Sequence, residues 1–199
     1  MEEIIYKTCT SKKELEGILQ LQNTNHYSKL SKEEIASEGF LTCTHNLELL
    51  TEFNCIAPHV IAISHNTVVA YLLAMTAIAE EKMLLLRPMF LEFKKLVYSS
   101  KKIEEYNYLI VGQVCVGKGF RGQGVLEKCY QLYQTIYKDR FEFAITEIDV
   151  RNQRSLNAHL KLGFREIHRY SSPDGKEWCI VLLDWNKYKK EANPKISLF

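Results

Sequence analysis

The stretch Val114-Cys115-Val116-Gly117-Lys118-Gly119-Phe120-Arg121-Gly122-Gln123-Gly124-Val125-Leu126 sets four glycines within eight residues, between an apolar run and an amphipathic one. Glycines at a strand-to-helix junction let the backbone turn sharply and aim several N–H groups outward, and the helix start adds the positive end of its dipole. Phosphate binding is the chemistry such a loop suits, although a merely tight turn uses the same residues. Counting Gly117, Gly119 and Gly122 gives the Gly-x-Gly-x-x-Gly of dinucleotide sites, but the preceding chain does not begin with the βαβ unit which that reading requires. A Walker loop is excluded because no Gly-Lys-Ser/Thr follows.

A second block, Asn152-Gln153-Arg154-Ser155-Leu156-Asn157-Ala158-His159-Leu160-Lys161-Leu162-Gly163-Phe164, places Ser155 and His159 four residues apart, on one face of a helix. Together the two blocks resemble the GNAT superfamily of acyl-CoA N-acyltransferases. The family's phosphate loop reads Arg or Gln, two residues, Gly, one residue, then Gly or Ala; here these are Arg121, Gly124 and Leu126, with Leu126 in place of the usual small residue. The later segment looks like the family's Asn-x-x-Ala-x-x-x-Tyr-x-x-x-Gly-Phe, with His159 standing where the family has Tyr. One helix and one strand separate the blocks, as the family's architecture requires.

The resemblance implies an α/β fold, a central mixed β-sheet flanked by helices, with a single N-acetyltransferase domain over 1–199 and acetyl-CoA as cosubstrate. It assigns cofactor binding to Val114, Cys115, Val116, Arg121, Gly122, Gln123, Gly124, Val125, Leu126, Asn152 and Ser155. A backbone N–H of Val114 would stabilise the oxyanion formed at the thioester. His159 would act as the acid that protonates the leaving thiolate, or would only pack against the cofactor. Transfer would be direct, with Cys115 a packing residue and not a nucleophile. The attacking amine must be neutral, whereas a lysine-like amine has a pKa of ~10.4, so a base or water chain must take its proton. Gln113 can hold a water; Glu80, Glu81 and Glu147 are carboxylates whose spacing singles out none of them, and each also reads as a solvated surface residue. The rival readings are a non-catalytic acyl-CoA-binding module of the same fold and a nucleotide-binding regulator.

Composition narrows the partners. Of 199 residues 46% are hydrophobic and 25% charged, with a net charge of +2, which suits one folded core and gives no electrostatic case for nucleic acid. The runs Lys12-Lys13, Lys94-Lys95, Lys101-Lys102 and the lysine-rich stretch 187–190 read as solvated faces. Six cysteines without a Cys-x-x-Cys pair, and six histidines without ligand spacing, predict reduced thiols, a cytoplasmic location and no metal. The start Met1-Glu2-Glu3 has no signal-peptide character, and the longest apolar stretch, Val68 to Ala79, falls short of the ~20 residues that span a bilayer. In the superfamily the acceptor enters over the early helices and a hairpin, so Asn25-His26-Tyr27 and the insertion Arg87 to Tyr98 are pocket candidates. With no acidic groove evident, a small-molecule amine is favoured over a protein or peptide. A homodimer is compatible with such a chain.

The elements that must position these groups follow from caps and periodicity. Ile4 to Tyr6 reads as a strand, and Thr10 or Ser11 with Glu14 forms a capping box for a helix to about Leu21. Ser31 with Glu34 opens a short helix that stops at Gly39, and Asn46 to Phe53 is another. His59 to Ser64 and Thr67 to Met75 are strands joined at His65-Asn66. Pro88 starts a helix carrying Phe90, Phe93, Leu96 and Val97. A strand over Tyr108 to Val116, a helix over Gly124 to Tyr137, a strand over Phe143 to Val150, a helix over Arg154 to Leu162 and a strand over Trp178 to Asp184 complete the series.

Overall fold

The Ser11 side chain accepts from the Glu14 N–H, and the Glu14 carboxylate accepts from the Ser11 N–H at 3.0 Å, so the expected capping box opens α1 (Lys12–Asn25). The computed structural model that carries this geometry describes residues 3–186; the stretch 187–190 lies outside them. Ser31 and Glu34 repeat the box at α2 (Lys32–Glu38), and Asn46 caps α3 (Leu47–Ile56).

Strands β1 (Ile5–Thr8), β2 (Val60–Ser64) and β3 (Thr67–Met75) form an antiparallel meander, whose second turn places His65 and Asn66 at φ 47° and 59°. Two successive positive φ values match the right-handed twist of a tight hairpin, which asparagine tolerates. After α4 (Ala79–Lys82) and α5 (Arg87–Lys95), a small hairpin of β4 (Val97–Tyr98) and β5 (Lys101–Lys102) precedes β6 (Tyr108–Val116). Then come α6 (Val125–Tyr137), β7 (Phe143–Asp149), α7 (Gln153–Lys161), β8 (Arg165–Ser171) and β9 (Glu177–Asp184). The seven-stranded sheet runs β1-β2-β3-β6-β7-β9-β8, and β6 with β7 is its one parallel pair. This is the α/β mixed sheet flanked by helices that the sequence implies.

Both faces of the centre are covered, which explains the unbroken apolar run of β3. Tyr71 and Leu73 lie in one cluster with Leu15 and Ile18 of α1 and Leu50 of α3. Ala70, Leu72 and Ala74 lie in another with Val125, Cys129, Tyr133 and Tyr137 of α6, small strand residues making room for the tyrosines.

Two expectations need correction. The helix predicted through Val97 ends at Lys95, and Val97 pairs with Lys102 across a turn in which Ser99 and Ser100 hold φ values of 48° and 69°. Serine carries no signal for that turn. Strand β8 has no counterpart in the sequence reading, because as an edge strand paired only with β9 it exposes Arg165, Glu166 and Arg169 and shows no apolar run.

Candidate active site

The Gly-rich segment leaves β6 with the Gly117 N–H still donating to Val69 O at 2.8 Å, then makes one 3-10 turn at Lys118–Phe120. Gly122 and Gly124 follow at φ 75° and 74°, a region open to glycine and strained for other residues. A Cβ built on Gly119, Gly122 or Gly124 would meet nothing within 4 Å, so one side of the loop is open backbone. Gly124 begins α6, and no side chain caps it, whereas α1, α2, α3 and α7 are each capped by a serine or asparagine. The first-turn N–H groups of α6 therefore face the open side with the helix dipole behind them, which suits an anion.

Arg121 holds this loop from within. Its Nε donates to Val116 O at 2.8 Å, one terminal nitrogen donates to Glu38 O at 3.0 Å and to the Glu38 carboxylate at 2.7 Å, and the other donates to Asn25 Oδ1 at 2.6 Å. The guanidinium thus pins the loop to α1 and α2. Gln123 turns its amide back to Gly119 O at 2.8 Å.

Beside the loop the sheet opens. Strands β6 and β7 are in register only at Tyr108–Phe143, Leu109–Ala144 and Ile110–Ile145, although β6 continues to Val116 and β7 to Asp149. On its other edge β6 stays paired with β3 through Val116, with a bulge opposite Leu73 and Ala74. Since Gly117 points its N–H at β3, the alternation of an antiparallel ladder turns the N–H and C=O groups of Val114 and Val116 toward the gap. The Val116 carbonyl accepts Arg121 Nε from that side, as the alternation requires.

The gap widens into a cleft of about 370 Å³, lined by Val114, Cys115, Val116, Arg121, Gly122, Gly124, Val125, Leu126, Asn152, Ser155 and His159. One sequence-predicted cofactor residue, Gln123, does not line it. The end of α2 and the connection after it supply further lining with Glu38, Gly39, Phe40 and Leu41, of which the sequence singled out only Gly39, as the helix stop. Asn152 uses both ends of its amide internally, accepting from Ser155 N at 3.2 Å to cap α7 and donating to Phe40 O at 2.9 Å. Burial pushes the Cys115 thiol up to about 12, which agrees with a packing residue and not a nucleophile.

His159, for which the sequence allows either an acid or a packing residue, is buried. Its Nδ1–H donates to Ser155 O at 2.8 Å and its Nε2 accepts from the Tyr130 hydroxyl at 2.8 Å, and the side chain is 2% exposed. Burial holds the imidazole down to about 4, against the opposing effect of the Ser155 carbonyl. A neutral ring with both nitrogens engaged has no proton for a thiolate at neutral pH, so the geometry favours a packing residue over the expected acid.

The carboxylate that the sequence left undistinguished now stands apart. Glu147 lies in the middle of β7, beyond the last residue paired with β6, and accepts from the Tyr170 hydroxyl at 2.5 Å. Burial pushes it up to about 7, although the tyrosine hydrogen bond pulls the other way. It lines a narrow cavity of about 80 Å³ together with Gln113, Val114 and His159, and also an adjoining vestibule of about 290 Å³ that shares Thr42, Cys43 and Trp178 with it. Glu80 instead pairs with Lys94 at 2.5 Å on the surface. The strand of Glu147 gave a signal: in Phe-Ala-Ile-Thr-Glu-Ile-Asp a glutamate sits between the apolar Ile145 and Ile148 in the middle of a mostly buried strand.

The other pocket candidates divide. Asn25 lines the large cleft; of the insertion, Pro88 reaches the vestibule, while Phe90 and Phe93 are buried in the core. Among the described residues no group of His, Cys, Asp and Glu stands where it could hold a metal ion, and no helix is long and apolar enough to cross a membrane.

No protein-family model matches the chain, and no curated protein does. Solved structures do. NAA60 of Arabidopsis thaliana, in complex with acetyl-CoA, superposes with a TM-score of 0.62 at 11% identity, over 92% of this chain and 99% of that one. A chain of the NatC complex bound to Gag peptide and CoA gives 0.61 at 14% identity, over 92% and 98%. The ribosomal-protein-S18-alanine N-acetyltransferase of Escherichia coli gives 0.59 at 10% identity, over 92% and 94%.

Proposed function

From the GNAT acyl-CoA N-acyltransferase fold of this chain, we propose that it transfers an acetyl group from acetyl-CoA to a small primary amine by direct attack on the thioester. The observation that carries this reading is the half-open seam between β6 and β7, which runs into a glycine-built, uncapped helix start. Two of the neighbours are described with CoA or acetyl-CoA bound, which supports the same cosubstrate here.

In this reading the pyrophosphate sits on the open backbone from Gly122 to Leu126, and the pantetheine arm lies in the seam as an added strand along Val114 to Val116. The Val114 N–H, aimed into the gap, donates to the thioester oxygen as it takes up negative charge. The amine arrives from the vestibule as an ammonium and loses one proton to Glu147, whose raised pKa brings it closer to that of an amine. The nitrogen lone pair attacks the carbonyl carbon, the C–S bond breaks, and the thiolate leaves with the bonding pair. The second proton lost from nitrogen balances the thiolate, giving the amide and free thiol. His159, backed by the Tyr130 hydroxyl, forms part of the wall.

Calorimetric titration with acetyl-CoA and a thiol-release assay over a broad amine panel test the proposal together. Binding with turnover is expected. Binding without turnover on any amine would leave a non-catalytic acyl-CoA module, and failure to bind acetyl-CoA would refute the cofactor assignment.

A further inference from the structure

Outside the coenzyme cleft, the roomiest cavity among those around the seam is the vestibule of about 290 Å³, near the lower limit of small-molecule sites. Its walls are apolar: Leu84 and Leu85 from a 3-10 turn, Pro88, Tyr170, Trp178 and Cys43. Leu84 and Leu85 are 69% and 66% exposed, two neighbouring leucines held at the lip with their side chains in water. Glu147 is the carboxylate this vestibule shares with the narrow cavity at Val114.

The charges at the rim cancel. Asp174 forms an ion pair with Lys176 and also accepts from Ser172, so it offers no free anion to a second cationic group. A polyamine or a lysine-rich peptide would leave its additional charges against leucine, proline and tryptophan, without a partner. One ammonium on an apolar body instead meets one carboxylate at the inner end and hydrophobic surface along the rest.

Resting on the acetyltransferase reading above, we propose that the acceptor is a small primary monoamine with an aliphatic or aromatic body, its ammonium on Glu147 and its body against Leu84, Leu85 and Trp178. The two leucines set the preference, and covering them on binding removes apolar surface from water.

The test compares kcat/KM for thiol release from acetyl-CoA with hexylamine and phenethylamine, with putrescine and spermidine, and with lysine-rich and leucine-initiated peptides. Acetyl-CoA affinity is measured separately by calorimetry. We expect the apolar monoamines to exceed the polyamines and both peptides by about tenfold or more. Leu85→Asp, at an exposed position, should lower kcat/KM for phenethylamine by about tenfold, narrow its lead over putrescine, and leave acetyl-CoA affinity unchanged. A polyamine used first, or indifference to Leu85→Asp, would overturn the inference and leave the acetyltransferase reading standing; a peptide used first would overturn the inference and the small-amine acceptor with it, leaving only acetyl transfer from acetyl-CoA. Turnover with none of the amines while acetyl-CoA binds would overturn both.

Discussion

Replacing Glu147 with glutamine removes the proposed base while keeping the shape of the side chain and a group that can bond the Tyr170 hydroxyl. A lysine-like amine with a pKa of ~10.4 is neutral in only about one molecule in 2,500 at pH 7. An enzyme that binds the ammonium and takes its proton on a carboxylate as the nitrogen attacks does not depend on that rare free amine; one without the carboxylate does. The expected loss in kcat/KM at pH 7 is therefore about 10³-fold, within the usual ~10²–10⁴ for general-base catalysis. The pH profile carries the sharper signature. With Glu147 at about 7, wild-type kcat/KM should rise tenfold per pH unit below that value and level off above it, since carboxylate and ammonium then coexist. The Glu147→Gln profile should have no break near 7 and should keep climbing toward the pKa of the amine. Of the other groups that line these cavities, burial pushes Tyr170 and Cys43 up and holds His159 down to about 4, and the Asp174–Lys176 ion pair holds the carboxyl down and the ammonium up, so Glu147 is the group expected to titrate near 7. Initial rates of thiol release with the best monoamine, taken from about pH 5.5 to 9.5, measure this. A wild-type profile without the break, or a variant with undiminished rate at pH 7, would refute the reasoning.

The same substitution should stabilise the fold. A carboxyl raised from 4.5 to about 7 binds more protons folded than unfolded, so its contribution falls as pH rises through that window, and Glu147→Gln should gain on the order of 3 kcal/mol above pH 7 and almost nothing below pH 4.5, measurable by urea unfolding. Burial holds His45, His59 and His159 down to about 4, 3 and 4, so the unfolded chain takes up protons below 6.5 before the folded one does, and denaturation should set in steeply between pH 6.5 and 4 when followed by circular dichroism. Arg121→Ala leaves Asn25 Oδ1 and Val116 O without their guanidinium donor, while Glu38 keeps Arg154 at 3.3 Å; the loop loses its tie to α1 and acetyl-CoA affinity in calorimetry should fall, whereas equal affinity would remove the loop from the coenzyme site. At Gly124, with φ 74°, an alanine fits the space but strains the backbone by about 1–2 kcal/mol, so affinity should drop severalfold without a change in fold.

What the sequence made legible was local. Capping boxes at Ser11 and Ser31, the His65-Asn66 turn and the glycines at 122 and 124 act within a few residues, and their consequences could be read in place. The loop and the Asn152 block were found because their chemistry is written in consecutive positions. The fate of His159 could not be read, because it depends on Tyr130, 29 positions away and across two elements. Glu147 was one of three carboxylates until the geometry showed where β6 and β7 part. Edge strand β8 was invisible because its polar residues follow from a neighbour on one side only.

That parting of the strands has a mechanical meaning. Three residue pairs at one end join β1-β2-β3-β6 to β7-β9-β8, so along its other end the molecule is two half-sheets meeting at a joint. A pantetheine arm lying there would complete the ladder, making the cosubstrate a temporary piece of the architecture. Acetyl-CoA and free CoA carry the same arm, so the half-sheets would stay fastened through the chemistry and come free only when the thiol product slides out. The slow event of each cycle would then be the unfastening of a strand, and its clock would be read in the amide exchange of Val114 and Val116.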